Sequence, residues 1–301
     1  MEIDVAIIGA GPAGLSAGIF ASRAGFKTVC FERLVEGGQA NLSSNIENYP
    51  GFESIPGLEL TQKFANHAKS CGTEIKYADV VKVSKLKTNF SIKTKKETFT
   101  AKKVIIASGS KTRKLGIENE LKLTGKGVSY CASCDGNFFK DKVVAVVGGG
   151  NSAVENVDYL TRVCKKVYML NRSERFRAFE YDIERIKKYK NLQILTNATV
   201  QELVGEKQLE QIVVNHNGKT KKIKVEGLFI AIGYEPDFDF LDIDVEFDKA
   251  GYIVVNEDQQ TNVKNLYACG DATSKKFKQV ITACADGARA GNSCVGDKWK
   301  N

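Results

Sequence analysis

The stretch SYCASCDGNFF, residues 129–139, sets Cys131 and Cys134 two residues apart, with Asp135 directly after them. A pair at this spacing can clamp a metal, close a structural disulfide or carry redox chemistry. Zinc normally takes four ligands. The chain has no second Cys-x-x-Cys, and its two histidines, His67 and His216, show no ligand spacing, so no metal is expected. The remaining cysteines (30, 71, 164, 269, 284 and 294) are scattered singly, mostly among apolar residues. They are expected to be buried, reduced thiols. Asp135 could move the proton that a thiol loses or gains. It could equally cap a helix or sit in a turn.

The elements around the pair belong to two similar units. In the first, a buried strand at Val5–Ile8 runs into Gly9-x-Gly11-x-x-Gly14. A helix follows to about Ala24, Gly25 stops it, and a strand at Thr28–Phe31 ends at Glu32. Each glycine has a physical reason. Gly9 permits the tight turn, Gly11 lets the backbone approach a pyrophosphate, and Gly14 lets helix and strand pack closely. The helix N-terminus then faces the phosphates. A carboxylate about 20 residues on, here Glu32, can bind a ribose diol. Together these predict a dinucleotide site.

The second unit repeats the device. A strand at Val143–Val147 leads to Gly148-x-Gly150-x-x-Ala153, a helix from Ser152 to about Arg162, and a strand at Val167–Leu170. The acid expected after that strand is absent. Asn171-Arg172 stands there, followed by Glu174, Arg175 and Arg177. Basic groups at this place favour a nucleotide with a 2′-phosphate, NADPH over NADH. Three later strands end in a small residue and glycine, in VIIASGS (104–110), LFIAIGYEPD (228–237) and NLYACGDAT (265–273). The last is followed by a helix pattern.

The topology follows from this repeat. The fold class is α/β, with two Rossmann-like, three-layer (ββα) nucleotide-binding domains, the second inserted into the first. Residues 1–111 and 241–301 form the discontinuous first domain, and 112–240 form the second, which carries the cysteine pair. Two connections, near Lys111–Leu115 and Asp237–Leu241, permit rigid-body rotation.

Composition agrees with a folded α/β chain. Of 301 residues, 43% are hydrophobic, and 27 glycines stand against 4 prolines. The formal charge of +8 comes from 44 basic residues mixed with 36 acidic ones. The Lys-rich runs (Lys85–Lys87, Lys93–Lys96, Lys219–Lys222) are short and read as solvated hairpins or strand edges, not a nucleic-acid footprint. A mildly basic surface can steer an acidic protein partner. The N-terminus runs straight into a strand without a signal-peptide pattern, and no apolar run approaches the ~18 residues of a membrane span. The expected location is the cytoplasm, with no membrane and no nucleic-acid partner.

At this point the sequence resembles the low-molecular-weight, bacterial-type thioredoxin reductases of the FAD-dependent pyridine nucleotide-disulfide oxidoreductases. The likeness rests on Gly9-Ala-Gly-Pro-Ala-Gly14, Gly37-Gly38-Gln39, Glu47-Asn48-Tyr49-Pro50-Gly51, Cys131-Ala-Ser-Cys134-Asp135-Gly136, Gly148-Gly-Gly-Asn-Ser-Ala153, Phe176-Arg177-Ala178 and Gly270-Asp271. The resemblance implies FAD in the discontinuous domain, held by Gly9, Gly11, Pro12, Ala13, Gly14, Glu32, Arg33, Gly37, Gly38, Gln39, Asn48, Val80 and Gly109. Asp271, Lys278, Gln279 and Val280 would stand at the flavin end. It implies NADPH on Gly148, Gly150, Asn151, Ser152, Ala153, Arg172, Arg177, Ile232 and Gly233. It also implies a homodimer whose protein partner is thioredoxin. By the same pattern, Cys134 faces the flavin, Cys131 attacks the partner's disulfide, and Asp135 is the acid/base.

The family's 2′-phosphate motif, His-Arg-Arg-x-x-x-Arg, keeps only Arg172 and Arg177 here. Asn171 and Ser173 replace the other two groups, and Arg175 is a candidate substitute. The electron donor is therefore open between NADPH, NADH and reduced ferredoxin, although Gly148-x-Gly150-x-x-Ala153 argues for a nucleotide. The dithiol lies on the same inserted domain as the second nucleotide turn, and one flavin face must serve both. A rotation that alternates them resolves this conflict. A dithiol oxidase and a flavin-bound redox sensor are the competing readings; an intact dithiol disfavours the sensor. His67 is read as a structural helix residue, Arg113 and Lys114 as solvated, and Trp299 as part of a packed or mobile tail.

Overall fold

The computed structural model describes residues 2–43, 45–275 and 277–296; Trp299 lies outside them. The chain divides into two compact units, Met1–Lys111 with Pro236–Asn301, and Thr112–Glu235. The inserted unit ends before the expected boundary at 240. Phe238, Phe240 and Leu241 pack on the apolar cluster of Val83, Phe90 and Ile253 in the first unit, and the Val83 N–H donates to the Phe240 carbonyl (2.7 Å). Burial of these side chains pulls the returning chain into the first unit from Pro236 onward.

The first unit begins with β1 (Ile3–Ile8), α1 (Pro12–Arg23), β2 (Thr28–Glu32), α2 (Gly57–Ser70), β3 (Glu74–Tyr77), β4 (Val80–Lys85), β5 (Phe90–Thr94) and β6 (Thr98–Ile106). β1 lies between β2 and β6 and is parallel to both, with Val5 opposite Thr28 and Lys103. β3 extends the parallel set beyond β2, while β4 and β5 form an antiparallel ladder on β6. Val5 and Ile7 of β1 enter one apolar cluster and Ala6 and Ile8 enter another. Successive side chains point to opposite faces of a strand. The continuous apolar run of β1 is thus that of a parallel strand covered on both sides.

β7 (Lys111–Thr112) leads into the inserted unit. There follow α3 (Glu120–Leu123), β8 (Val128–Ser129), α4 (Ala132–Asp135), β9 (Val143–Val147), α5 (Asn151–Val163), β10 (Lys166–Leu170), α6 (Glu180–Ile186) and β11 (Leu192–Leu195). β12 (Ala198–Val204), β13 (Gln211–His216), β14 (Lys219–Lys224), β15 (Gly227–Ile230) and β16 (Tyr234–Glu235) complete it. The order β11-β10-β9-β15-β8 is parallel throughout. β12, β13 and β14 make a separate antiparallel sheet. Lys219, Lys221, Lys222 and Lys224 are exposed on its outer strand, and Lys93–Lys96 turn the β5–β6 hairpin, as expected of solvated edges.

β17 (Leu241–Asp242), β18 (Leu266–Ala268) and α7 (Val280–Val295) return the chain to the first unit. β17 pairs with β4 and β18 with β6, giving an eight-stranded sheet. α7 lies against α1 so closely that a Cβ on Gly287 would overlap the Ala13 carbonyl. No helix among the described residues is long and apolar enough to cross a membrane.

Candidate active site

Cys131 and Cys134 form a disulfide, with Cα atoms 5.4 Å apart. Cys131 precedes the first turn of α4 as its N-cap, and the Cys134 N–H donates to the Cys131 sulfur (3.1 Å). The Ser133 hydroxyl lies 3.4 Å from the same sulfur. A disulfide sulfur has no proton to give, so the hydroxyl is the donor. Both contacts favour negative charge on Cys131 once the bond is reduced. Cys131 is half-buried and Cys134 is exposed.

Asp135 stands at the N-cap place of the 3-10 turn Gly136–Phe139, but its side chain makes no capping bond. Its Oδ2 instead accepts from the Ser129 hydroxyl (2.6 Å). Tyr130 is held on the other side. Its OH donates to Glu120 Oε1 (2.7 Å), and that carboxylate also accepts from the Leu115 and Gly116 N–H groups (3.0 and 2.8 Å). Burial and the Glu120 carboxylate push the Tyr130 phenol up to about 12. Glu120 is only 2% exposed, so three donors compensate its burial. Spacing alone does not single out Ser129 or Glu120; the hydroxyl two places before Cys131 is the one sequence signal that could have.

The remaining six cysteines carry free thiols. Cys30, Cys164, Cys269 and Cys294 are buried, while Cys71 and Cys284 are half-buried. Burial raises the Cys164 and Cys284 thiols to about 11 and Cys294 to about 12, and lifts Cys30 and Cys269 as well.

In the first unit, the Gly9 N–H donates to the Phe31 carbonyl (2.8 Å). A Cβ on Gly14 would overlap the Gly9 carbonyl, whereas one on Gly11 would meet open space. α1 has no side-chain cap at Gly11, so its first amides remain for a ligand. Glu32 accepts from the Ala10 N–H (3.0 Å) and the Leu34 N–H (2.9 Å). The Gly37 N–H donates to the Ala10 carbonyl (2.7 Å), and Gly38 lies against Gly11. Gln39 donates to the Ser110 carbonyl beside Gly109. Asn48 donates to Gln279 Oε1 (3.0 Å), and Gln279 caps α7 in front of Val280. Lys278 donates to the Asp271 carbonyl (2.9 Å) and sits over the Tyr252 ring. Burial holds the Asp271 carboxyl above its ordinary value of 3.8 and the Lys278 amine below its ordinary 10.5. Arg33 is exposed and Val80 begins β4. The glycine cradle, the oriented carboxylate and the open helix terminus fit a dinucleotide such as FAD.

The second turn repeats the backbone of the first. The Gly148 N–H donates to the Leu170 carbonyl (3.0 Å), and Gly150 faces open space without a side-chain cap on α5. Asn151 accepts from the Phe179 N–H (3.0 Å), Ser152 is exposed and Ala153 is buried. Half-buried Ile232 packs on the unit's core, and the Gly233 carbonyl accepts from the Arg113 N–H (2.9 Å). Arg113, though exposed, also reaches the Tyr234 carbonyl (3.4 Å).

Asn171 is buried, and its amide donates to the Ser173 and Arg175 carbonyls (2.8 and 3.0 Å). The Gly149 carbonyl accepts from the Arg177 N–H (2.7 Å) and the Ala178 N–H (3.1 Å). Asn171 therefore pins the loop from beneath. Arg172, Arg175 and Arg177 are exposed, with no carboxylate partner among the described residues. These groups fit a nucleotide carrying an extra phosphate. His67, by contrast, is exposed on α2.

Two turns of dinucleotide-binding type and one dithiol in a single chain define a nucleotide-linked disulfide oxidoreductase. Residues 3–287 match the family described as pyridine nucleotide-disulphide oxidoreductase. The chain is 42% identical over 299 residues to the thioredoxin reductase of Bacillus subtilis (strain 168), covering 96% of this chain and 93% of that protein. It is 41% identical over 294 residues to the thioredoxin reductase of Listeria monocytogenes, covering 96% and 92%. The crystal structure of Lactococcus lactis thioredoxin reductase superimposes with a TM-score of 0.95 at 36% identity, covering 99% and 100%. The chain belongs to the pyridine nucleotide-disulphide oxidoreductase family, in its low-molecular-weight thioredoxin reductase branch.

Proposed function

We propose that the protein is a thioredoxin-disulfide reductase that moves electrons from NADPH through FAD to Cys131–Cys134 and on to oxidised thioredoxin. The observation that carries this is the disulfide itself, placed in one compact unit with the second nucleotide turn. When bound, NADPH supplies a hydride and FAD relays its two electrons to the disulfide.

The chain's own groups do the rest. Cys131, with the Cys134 N–H and the Ser133 hydroxyl on its sulfur, attacks one sulfur of the thioredoxin disulfide as a thiolate. Cys134 then attacks Cys131 in the mixed disulfide, releases reduced thioredoxin and restores the Cys131–Cys134 bond. Asp135 takes up and returns the proton exchanged with these thiols. Gly11 and Gly150 admit the two pyrophosphates, Glu32 holds the FAD ribose, and Arg172, Arg175 and Arg177 take the 2′-phosphate. The inserted unit rotates between half-reactions. Cross-linking the two units stops full turnover while sparing one half-reaction; normal turnover in the cross-linked protein refutes the rotation. The enzyme works as a homodimer, as its family resemblance implies, in the cytoplasm, a location that six free thiols support.

The test is anaerobic. The purified protein is yellow with flavin and is bleached by low concentrations of NADPH. Bleaching by NADH alone, or only by reduced ferredoxin, reassigns the donor. Cys131→Ser abolishes thioredoxin reduction while nucleotide still bleaches the flavin; surviving transfer defeats the mechanism.

A further inference from the structure

Ser129 ends β8, where Phe229 of β15 is its register partner, so the sheet and not a loop sets its position. It is 5% exposed. Its Oγ accepts from the Cys131 N–H (3.0 Å). The same Oγ lies 2.6 Å from Asp135 Oδ2 and 3.2 Å from the Cys131 carbonyl oxygen. A hydroxyl has one proton and two acceptor sites. Ser129 can therefore serve only one of those two oxygens at a time.

We propose that Ser129 is a two-way hydrogen-bond switch that lets Asp135 both hold and release a proton beside the Cys131–Cys134 pair. This rests on the reading of Asp135 as the pair's acid/base. When Asp135 is ionised, the Ser129 proton points at Oδ2. When Asp135 is protonated, its O–H donates to Ser129 Oγ, and the serine proton turns to the Cys131 carbonyl. The Cys131 N–H occupies the second acceptor site in both states. Neither state leaves a buried polar group unpaired, which would otherwise penalise one form. Proton transfer is then not paired with the loss of a hydrogen bond.

The balance closes. Reducing the disulfide takes two electrons and two protons. A hydride from the bound nucleotide would supply both electrons and one proton, and the second proton comes from solvent through Asp135. In the exchange with thioredoxin, Asp135 takes the proton of the attacking thiol and returns it to a departing sulfur. Ser129 is a positioning residue here, since it touches neither substrate nor flavin.

The test compares Ser129→Ala, Ser129→Thr, Asp135→Asn and the double variant Asp135→Asn/Ser129→Ala as flavin-loaded enzymes. Ser129→Ala lowers kcat for thioredoxin reduction about tenfold, with KM for NADPH unchanged. It also alters the limb of the pH profile that Asp135→Asn removes, because neither form of the carboxyl then keeps its serine partner. The pH dependence of iodoacetamide alkylation of the chemically reduced pair changes with it. Ser129→Thr restores both readouts. The double variant is no slower than Asp135→Asn alone. Should Ser129→Ala fail to retain flavin, Ser129→Gly against Ser129→Thr makes the same comparison. A wild-type rate and pH profile in the hydroxyl-free variant, or multiplied losses in the double variant, overturn the switch while leaving the acid/base reading standing. If Asp135→Asn itself changes nothing, both fall.

Discussion

The two glycine turns share a backbone and differ in their side chains. In the first, Gly14 is pressed so close to the Gly9 carbonyl that no Cβ fits. In the second, Ala153 occupies the matching place, and its Cβ lies 3.0 Å from where a Cβ on Gly148 would stand. The ends of the following strands diverge further. Glu32 presents a carboxylate held by two backbone N–H groups. Asn171 turns inward and pins the loop that carries three exposed arginines. One motif thus yields a tight turn followed by an oriented carboxylate and a looser one followed by exposed cations further along the chain; in the proposed function the first reads a sugar and the second a phosphate.

Exchanging the third small residue should break the comparison most sharply. Gly14→Ala forces backbone apart and is expected to lose ~3 kcal/mol together with most of its flavin, read by thermal unfolding and the absorbance ratio. Ala153→Gly should cost no more than about 1 kcal/mol, the ordinary helix penalty, and keep its flavin. Equal losses would mean that the two turns are equally tight.

Glu32→Gln should weaken FAD binding by about 2 kcal/mol, the range of a hydrogen bond to a charged group, measured by flavin retention in titration. Next in size is Asn171→Ala, which leaves two loop carbonyls without their donor. Affinity for 2′,5′-ADP should fall about tenfold, near 1.4 kcal/mol, while affinity for 5′-AMP is unchanged in calorimetry. A parallel loss for both ligands would show that Asn171 supports the whole site and not the arginine loop.

The smallest effect concerns Asp271, which only the first unit possesses. Burial raises its carboxyl above 3.8 in the folded protein, so the native state binds that proton more tightly than the unfolded chain. The contribution favours folding below pH 3.8 and is lost as pH rises through the higher folded value. Asp271→Asn should flatten this part of the stability curve in denaturant titrations across that window.

The parts legible in the sequence were those with fixed spacing. Gly9-x-Gly11-x-x-Gly14, Gly148-x-Gly150-x-x-Ala153 and Cys131-x-x-Cys134 each act within one turn, and β9 occupies Val143–Val147 as read. What escaped depends on contacts between separated segments. The return to the first unit at Pro236 follows from where Phe238 and Phe240 find apolar cover. Asn171 reads as a missing acid until the loop folds back over it. Glu120 looks like one surface acid among many until Leu115, Gly116 and Tyr130 converge on it.

The interrupted first unit also sets an order of assembly. β18 pairs with β6 across the whole inserted segment, and α7 is the helix that covers α1. On a ribosome, the strand pairings of the inserted unit can be completed before α7 has been made. Until then the apolar side of α1 and the floor of the first turn stay open. The half-built first domain therefore exposes apolar surface that the finished chain covers, and a ligand of the first turn can lock it only after the last helix arrives.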